Sequence, residues 1–392
     1  MIVGVPKETF PGENRVAVIA DTVPLFTKAG MPIVVESGAG LRAGITDEQY
    51  SQKGAEVVSD RKVVFDRGQV ILQVRGFGAN PTNGRSDLEL FRTGQALVSF
   101  FEPLTAGDEV KAMAERGVSV FAVEMIPRIA RAQSMDTLSS MATIAGYKAV
   151  LLAAGLLPKM FPMLMTAAGT ISPARVFVIG AGVAGLQAIA SAKRLGAIVK
   201  GYDVRPAVKE QVESLGASFI ELEIEAGDSE DKGGYAREMD ESFYRRQQEL
   251  MARVVAESDV VITTAAVPGK KAPILITAEM VKGMHPGSVI IDLAAERGGN
   301  CELTRPDEKV DKAGVTVLGP TNVPSTVPFH ASQMYSRNLL TFMKHLVKDG
   351  RLNFDMDDEI TRDTLLTRDG EIVNSRLREI FGLEPTSERS DD

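Results

Sequence analysis

The sequence predicts an α/β chain of two doubly wound parallel-sheet domains, and three observations carry that expectation. Its 392 residues exceed one ordinary core and suit two, at about 100–200 residues per domain. Short β-branched runs alternate with amphipathic segments through both halves, the rhythm of parallel strands covered by helices. A glycine-rich turn, GAGVAG, stands between a strand-like run and a helix-like one. Hydrophobic residues at 44% and charged residues at 24% supply enough apolar material for both cores and exclude a disordered chain.

In order along the chain, IVGV, PIVVESG, VILQVR, ALVSFF and VSVFAVEM read as the strands of the first unit, with DTVPLFTKAG amphipathic between the first two. The segment MDTLSSMATIAGYKAVLLAAGLL has helical apolar spacing, Asp136 near its start and Pro158 directly after it, so it reads as a connecting helix of roughly 20 residues. Gly146 inside that helix costs about 1 kcal/mol relative to alanine, which points to close packing against another backbone. RVFVIG, IVKGYD, SFIELE, SDVVITT, GSVIIDL and VTVLG are the strands of the second unit, with helical segments between them. A second long helical segment, HASQMYSRNLLTFMKHLVKDG, returns the chain to the first unit and leaves a cleft between the two. The expected division is 1–137 with 327–392, and 138–326. Between Glu221 and Arg246 the rhythm stops in an acidic stretch with Gly233, Gly234 and Tyr235, read as one long loop. The polar tail TSERSDD is expected to fray.

Charge and composition remove several function classes. A net charge of −8 with no run of Lys or Arg lacks the footprint of a nucleic-acid or anionic-lipid partner. The most apolar stretch, AVLLAAGLLPKMFPMLMTAAG, is broken by Pro158, Lys159 and Pro162, so no direct membrane insertion is expected. The start, MIVGVPKETF, has neither a basic region nor an apolar one of the kind that directs export. One cysteine, Cys301, and three histidines without metal-ligand spacing leave no metal site to expect and suit a reducing cytoplasm.

RVFVIGAGVAGLQAIASAKRLGAIVKGYD places Gly180, Gly182 and Gly185 as G-x-G-x-x-G after a strand and at the opening of a helix, with Asp203 at the end of the next strand, 18 residues beyond Gly185. That context is the dinucleotide-binding fingerprint, and with the strand–helix alternation of both halves the expected fold is two Rossmann-like units. Gly180 permits the tight turn, Gly182 lets a pyrophosphate approach the backbone, and Gly185 allows the helix to pack on the strand, while the helix N-terminus offers amide donors. Asp203 accepts from ribose hydroxyls and repels a 2′-phosphate, so NAD(H) is favoured over NADP(H); Val204 and Arg205, which follow it, are expected to bind the cofactor with it, although the arginine's charge argues the other way on the phosphate. Ala265 and Ala266 follow DVVITT at the carboxyl edge, where small side chains admit a ribose or simply pack.

One further segment is unusually polar. PRIARAQSMDTLSS sets Arg128, Arg131, Gln133, Asp136 and Ser139 side by side ahead of the connecting helix, where they would orient a ligand or merely cap the helix and pair with each other.

Together with VPKE, GENRVA, TAAGT, GGYARE, PGKKAPILIT, GSVIIDLAAERGGNC and TNVPS, these motifs closely resemble the NAD(H)-binding soluble component of proton-translocating NAD(P) transhydrogenases, within the alanine dehydrogenase/transhydrogenase family. Because the chain carries no apolar spans, it is most similar to the version in which that component is a separate alpha subunit. The resemblance implies that Arg128, Gln133, Asp136 and Ser139 hold the nicotinamide end of NAD(H) and carry the catalytic geometry. It implies that Gly234 and Tyr235 belong to a loop that closes on the nucleotide, and that Val183, Gln247 and Ala266 make lesser contacts. It also implies NADP(H) on a partner domain, membrane-spanning companion subunits whose proton translocation is coupled to the reaction, a homodimer, and a cytoplasmic position peripheral to the inner membrane.

Hydride transfer between two nicotinamide rings moves no proton to an oxygen or nitrogen, so such a site positions and needs no acid or base. An alanine dehydrogenase-like amino-acid oxidoreductase is the alternative, and it requires proton transfer. Arg15 stands at that relative's substrate-carboxylate position, but Gln73 replaces its lysine, ALVSFFEP offers no histidine, and Glu296 replaces an aspartate. Arg15 is then expected to pair with Glu8 or Glu13. A nucleotide sensor without turnover is the third reading.

Overall fold

The computed structural model describes residues 1–221, 241–266 and 269–384, without the side chains of residues 241–245 and 247. The chain forms two compact units, Met1–Met141 with Ser325–Asp392, and Ala142–Pro324.

In the first unit, strands β1 (Val3–Val5), β2 (Ile33–Glu36), β3 (Glu56–Val58), β4 (Val70–Arg75), β5 (Ala96–Phe100) and β6 (Ser119–Ala122) lie parallel in the order β3-β2-β1-β4-β5-β6. The central strands are apolar at nearly every position because helices cover both faces; in β4 only Arg75 escapes full burial. Three residues long and partly exposed, β3 is an edge strand too short for its periodicity to register in the sequence.

The helix Thr137–Leu156 carries the chain onward. Gly146 lies against the carbonyl oxygen of Ala184, 2.0 Å from where a Cβ would stand, which accounts for a glycine in mid-helix. The second unit opens with a hairpin, β7 (Leu164–Thr166) and β8 (Gly169–Ile171). Its sheet comprises β9 (Arg175–Ile179), β10 (Ile198–Tyr202), β11 (Ser218–Phe219), β12 (Val260–Thr263), β13 (Val289–Asp292), β14 (Lys309–Lys312) and β15 (Val315–Leu318), in the order β11-β10-β9-β12-β13-β15-β14, with only β14 antiparallel. The order reverses between β9 and β12, the switch point at which such sheets bind ligands.

The helix Glu241–Ala256 begins inside the stretch read from sequence as a loop up to Arg246. Met251, Val254 and Val255, spaced as one helical face, are buried in the core beside Phe177, so tertiary packing recruits a segment whose start is charged. Gly233, Gly234 and Tyr235 lie outside the described residues, as does the TSERSDD tail.

The helix Pro328–Leu346 rejoins the first unit. There Ser332 Oγ accepts from the Val16 amide at 3.0 Å, Ser336 Oγ accepts from the Ile19 amide at 3.2 Å, and Tyr335 Oη donates to the Gln73 carbonyl at 2.8 Å. After the short pair β16 (Val347–Lys348) and β17 (Arg351–Leu352), β18 (Leu365–Arg368) adds antiparallel to β6 and β19 (Glu371–Ile372) closes that edge. Both units are Rossmann-like α/β domains.

Candidate functional site

In the second unit the carboxyl ends of β9, β10 and β12 gather the glycine turn, Asp203 and Thr264. Gly180 has φ +95°, a conformation natural to glycine, and a Cβ on it would meet Thr264 Oγ1 at 2.6 Å. Thr264 Oγ1 donates to the Gly180 carbonyl at 3.0 Å, so the first turn is clamped from β12. A Cβ on Gly185 would come within 1.7 Å of the Gly180 carbonyl oxygen. Gly182 differs: among the described residues, none but its own chain neighbours comes within 4 Å of its would-be Cβ. It is the cap of the helix Val183–Arg194, whose Val183 is 39% exposed, so first-turn amides that lack an intrahelical partner face open space among the described residues. This is the arrangement that accepts a pyrophosphate.

Asp203 accepts from the Ala181 amide at 2.7 Å and from the Arg205 amide at 2.9 Å, and its two oxygens also take Arg205 Nε and Nη2, each at 2.9 Å. The carboxylate that the sequence assigns to ribose is thus also the partner of the arginine that the sequence sets against it. Val204 is half-buried in the same turn, packed against the second unit's core.

The loop after β12 is held by a residue that sequence reasoning passed over. Asn300, fully buried, accepts from the Ala265 amide at 3.0 Å and donates to the carbonyls of Ala265 and Pro273 at 2.8 and 2.9 Å. Its own amide donates to buried Asp292, at 2.7 Å. Ala266 is exposed beyond that clamp. Only the asparagine in RGGNC, close behind two glycines, hinted at such a role. Gln247 sits in the helix Glu241–Ala256, but its side chain lies outside the described residues, together with Gly234 and Tyr235.

In the first unit, the segment from Arg128 to Ser139 follows β6 as a short 3-10 helix, Ala130–Met135, and then the start of Thr137–Leu156. Arg128 and Gln133 are exposed. Asp136 caps the long helix: Oδ1 accepts from the Ser139 amide at 2.8 Å and Oδ2 from Ser139 Oγ at 2.5 Å. Capping and ligand orientation are therefore compatible roles for this pair, since both residues remain half-buried rather than sealed. Arg131, which the resemblance leaves without a role, donates to Asp358 at 2.6 Å and reaches Glu359 at 3.3 Å, while Asn338 Nδ2 donates to the Ser134 carbonyl at 2.9 Å. The turn is braced by the C-terminal segment, which no local pattern in the sequence announces.

Upstream of it, Glu124 Oε1 accepts from the amides of Phe101 and Glu102 at 2.7 and 2.6 Å, and Oε2 is buried with no partner among the described residues. Burial, with Glu102 nearby, pushes this carboxyl up to about 7. Glu102 itself has φ +56°, a strained backbone for a non-glycine residue.

Arg15 is buried and paired: Nε and Nη2 donate to the two oxygens of Glu13 at 2.7 and 2.6 Å. Burial pushes the Glu13 carboxyl up, but Arg15 outweighs it and holds the group down at about 2. Gln73 is buried and donates to Asp87 at 3.0 Å. Among the described residues, no group of three or more His, Cys, Asp or Glu is arranged to hold a metal.

Fold and site define a two-unit Rossmann-like dinucleotide-binding protein. The chain belongs to the alanine dehydrogenase/PNT family: the family's N-terminal domain matches residues 4–145 and its C-terminal domain residues 149–375. It is 47% identical over 380 residues to an NAD(P) transhydrogenase subunit alpha protein of Rhodospirillum rubrum, covering 96% of this chain and 99% of that one. A crystal structure of transhydrogenase from Sinorhizobium meliloti superposes with a TM-score of 0.83 at 41% identity, covering 96% of this chain and all of the other. Alanine dehydrogenase of Bacillus subtilis is 29% identical over 398 residues, covering 98% of this chain and 96% of that protein.

Proposed function

We propose that the chain is the NAD(H)-binding alpha-subunit component of a proton-translocating NAD(P) transhydrogenase, exchanging hydride with NADP(H) held on a partner domain. One observation carries the reading: likeness at 47% identity runs over 96% of the chain to a transhydrogenase alpha-subunit protein, while an alanine dehydrogenase of similar length reaches 29%. The first unit agrees, because Arg15 is engaged by Glu13 and a neutral amide, Gln73, stands where the dehydrogenase pattern has a lysine.

Bound NADH supplies a hydride to a second nicotinamide. The chain's residues hold and orient. The amides after Gly182 take the pyrophosphate, Asp203 takes the adenosine ribose, and Arg128, Gln133, Asp136 and Ser139 take the nicotinamide end. A carboxamide offers one acceptor and two donors, which a guanidinium and a carboxylate–hydroxyl pair satisfy. No residue of this set has to gain or lose a proton for a hydride to move, so placement alone is asked of it.

The partner completing the reaction is an NADP(H)-binding domain attached to membrane-spanning subunits that couple transfer to proton movement, with this component on the cytoplasmic side. A homodimer is part of the reading. Exposed Tyr147 and Leu151 on the long helix, and Met160, Met163, Met165 and Ile171 around the β7–β8 hairpin, supply apolar surface of the kind that associates. Sedimentation showing a monomer at micromolar concentration removes that element of it.

The deciding experiment mixes the purified chain with an NADP(H)-binding transhydrogenase domain and follows reduction of an NAD analogue by NADPH. Transfer supports the reading and its absence overturns it. NADH formation from L-alanine by the chain alone establishes the alternative.

A further inference from the structure

A carboxylate has about four lone-pair positions to offer. Among the described residues, Asp203 gives one pair to the Ala181 amide and one to the Arg205 amide, both fixed by the backbone of the glycine turn and of the strand end. The remaining pair goes to the fork of Arg205, Nε on Oδ1 and Nη2 on Oδ2. The two side chains are 7% and 15% exposed, so the pair is shielded from the screening that makes surface ion pairs weak. A ribose diol that is to donate both hydroxyls to Asp203 finds every position taken, and only the guanidinium can leave.

We infer that Arg205 is a specificity-determining residue: its guanidinium occupies the ribose-binding edge of Asp203, so that it competes with NADH and, by neutralising the carboxylate, softens the rejection of a 2′-phosphate. The inference rests on the reading of the glycine turn as the NAD(H) site. Its physical content is an exchange. The diol of NADH replaces a charge-assisted fork with two neutral donors, which costs affinity. A 2′-phosphorylated nucleotide meets a carboxylate already balanced by a cation, and that cation carries donors suited to phosphate. Without Arg205, Asp203 stands open to the diol and its charge opposes the phosphate unopposed.

The chain contains no tryptophan, so NADH and NADPH binding can be followed directly by reduced-nicotinamide fluorescence. Arg205→Gln removes the charge and the fork while keeping length. Expected is an NADH Kd lower by about three- to tenfold and an NADPH Kd higher by about tenfold or more, the changes that follow from losing one charge-assisted pair. A residue that only supports the turn weakens both nucleotides alike. An NADPH-to-NADH ratio of dissociation constants unchanged within about threefold, or looser NADH binding, overturns the inference. Should the glutamine variant fail to fold, Arg205→Lys decides: a point charge in place of the fork tightens NADH and leaves NADPH as it was, and equal NADH affinity to the parent chain overturns the proposal. Failure of the parent chain to bind NADH at all removes the cofactor site itself, a separate and prior result.

Discussion

The carbonyl oxygen of Gly180 stands 1.7 Å from the place a Cβ on Gly185 would occupy. The oxygen belongs to the backbone and a Cβ is fixed rigidly by it, so neither can rotate aside. Gly185→Ala therefore forces the helix Val183–Arg194 off β9, with an expected loss of about 1–3 kcal/mol or more in stability and loss of NADH binding. Gly182→Ala is the contrast, because among the described residues none but its chain neighbours comes within 4 Å of its Cβ. That variant is expected to melt with the parent chain and yet bind NADH at least about tenfold more weakly, since the empty space is where a pyrophosphate would sit. Thermal melts and fluorescence titrations check both. Unaltered NADH affinity in Gly182→Ala means that the phosphates sit elsewhere.

Gln133→Asn shortens an exposed side chain of the short helix Ala130–Met135 by one methylene. NADH affinity is expected to hold within a few-fold while transfer to the partner's nucleotide slows by about 100-fold, the scale on which small misplacements act. Stopped-flow transfer with the partner domain measures it. Turnover equal to that of the parent chain removes Gln133 from the transfer geometry.

Asp203→Ala deletes the acceptor for the ribose and leaves the Arg205 fork without its partner. NADH binding is expected to weaken by about 1–3 kcal/mol, the range for hydrogen bonds to a charged group. Calorimetry giving equal affinities would place the ribose away from β10.

Glu124 titrates at about 7 rather than 4.5, raised first by burial and then by Glu102. Below pH about 4.5 the group is neutral folded and unfolded, and no penalty exists. Between that value and about 7 the unfolded chain ionises first, so folding stability falls, and above about 7 the loss is constant. The full loss is on the order of 3 kcal/mol. Glu124→Gln keeps the oxygen that accepts from Phe101 and Glu102 but cannot ionise, so its stability relative to the parent chain is expected to grow from pH 5 to pH 8. Urea denaturation at four pH values within that range tests this. A difference independent of pH means that Glu124 ionises normally in the folded chain.

Much of the dinucleotide site was legible because its logic is local. G-x-G-x-x-G, the strand before it, the helix after it and Asp203 at the next strand end all fall within one short run of chain, where spacing translates directly into geometry. The helix Glu241–Ala256 was not read from the sequence, since its first residues are charged and its register is set by what Met251 and Val255 pack against. Asn300 lay hidden for a related reason. Its partners, Ala265 and Pro273, are 35 and 27 residues away, and a single asparagine carries no period.

By itself the sequence determined two Rossmann-like units, the glycine turn, the acid at its expected distance and the polar segment from Arg128 to Ser139, because each is written in near-neighbour spacing. Tertiary structure alone decided that β18, from the far end of the chain, pairs with β6, and that Arg131 and Ser134 are braced by Asp358 and Asn338. Those contacts depend on which lone pairs and edges remain unsatisfied once the sheets have formed, and that is a property of the assembled fold rather than of any stretch within it.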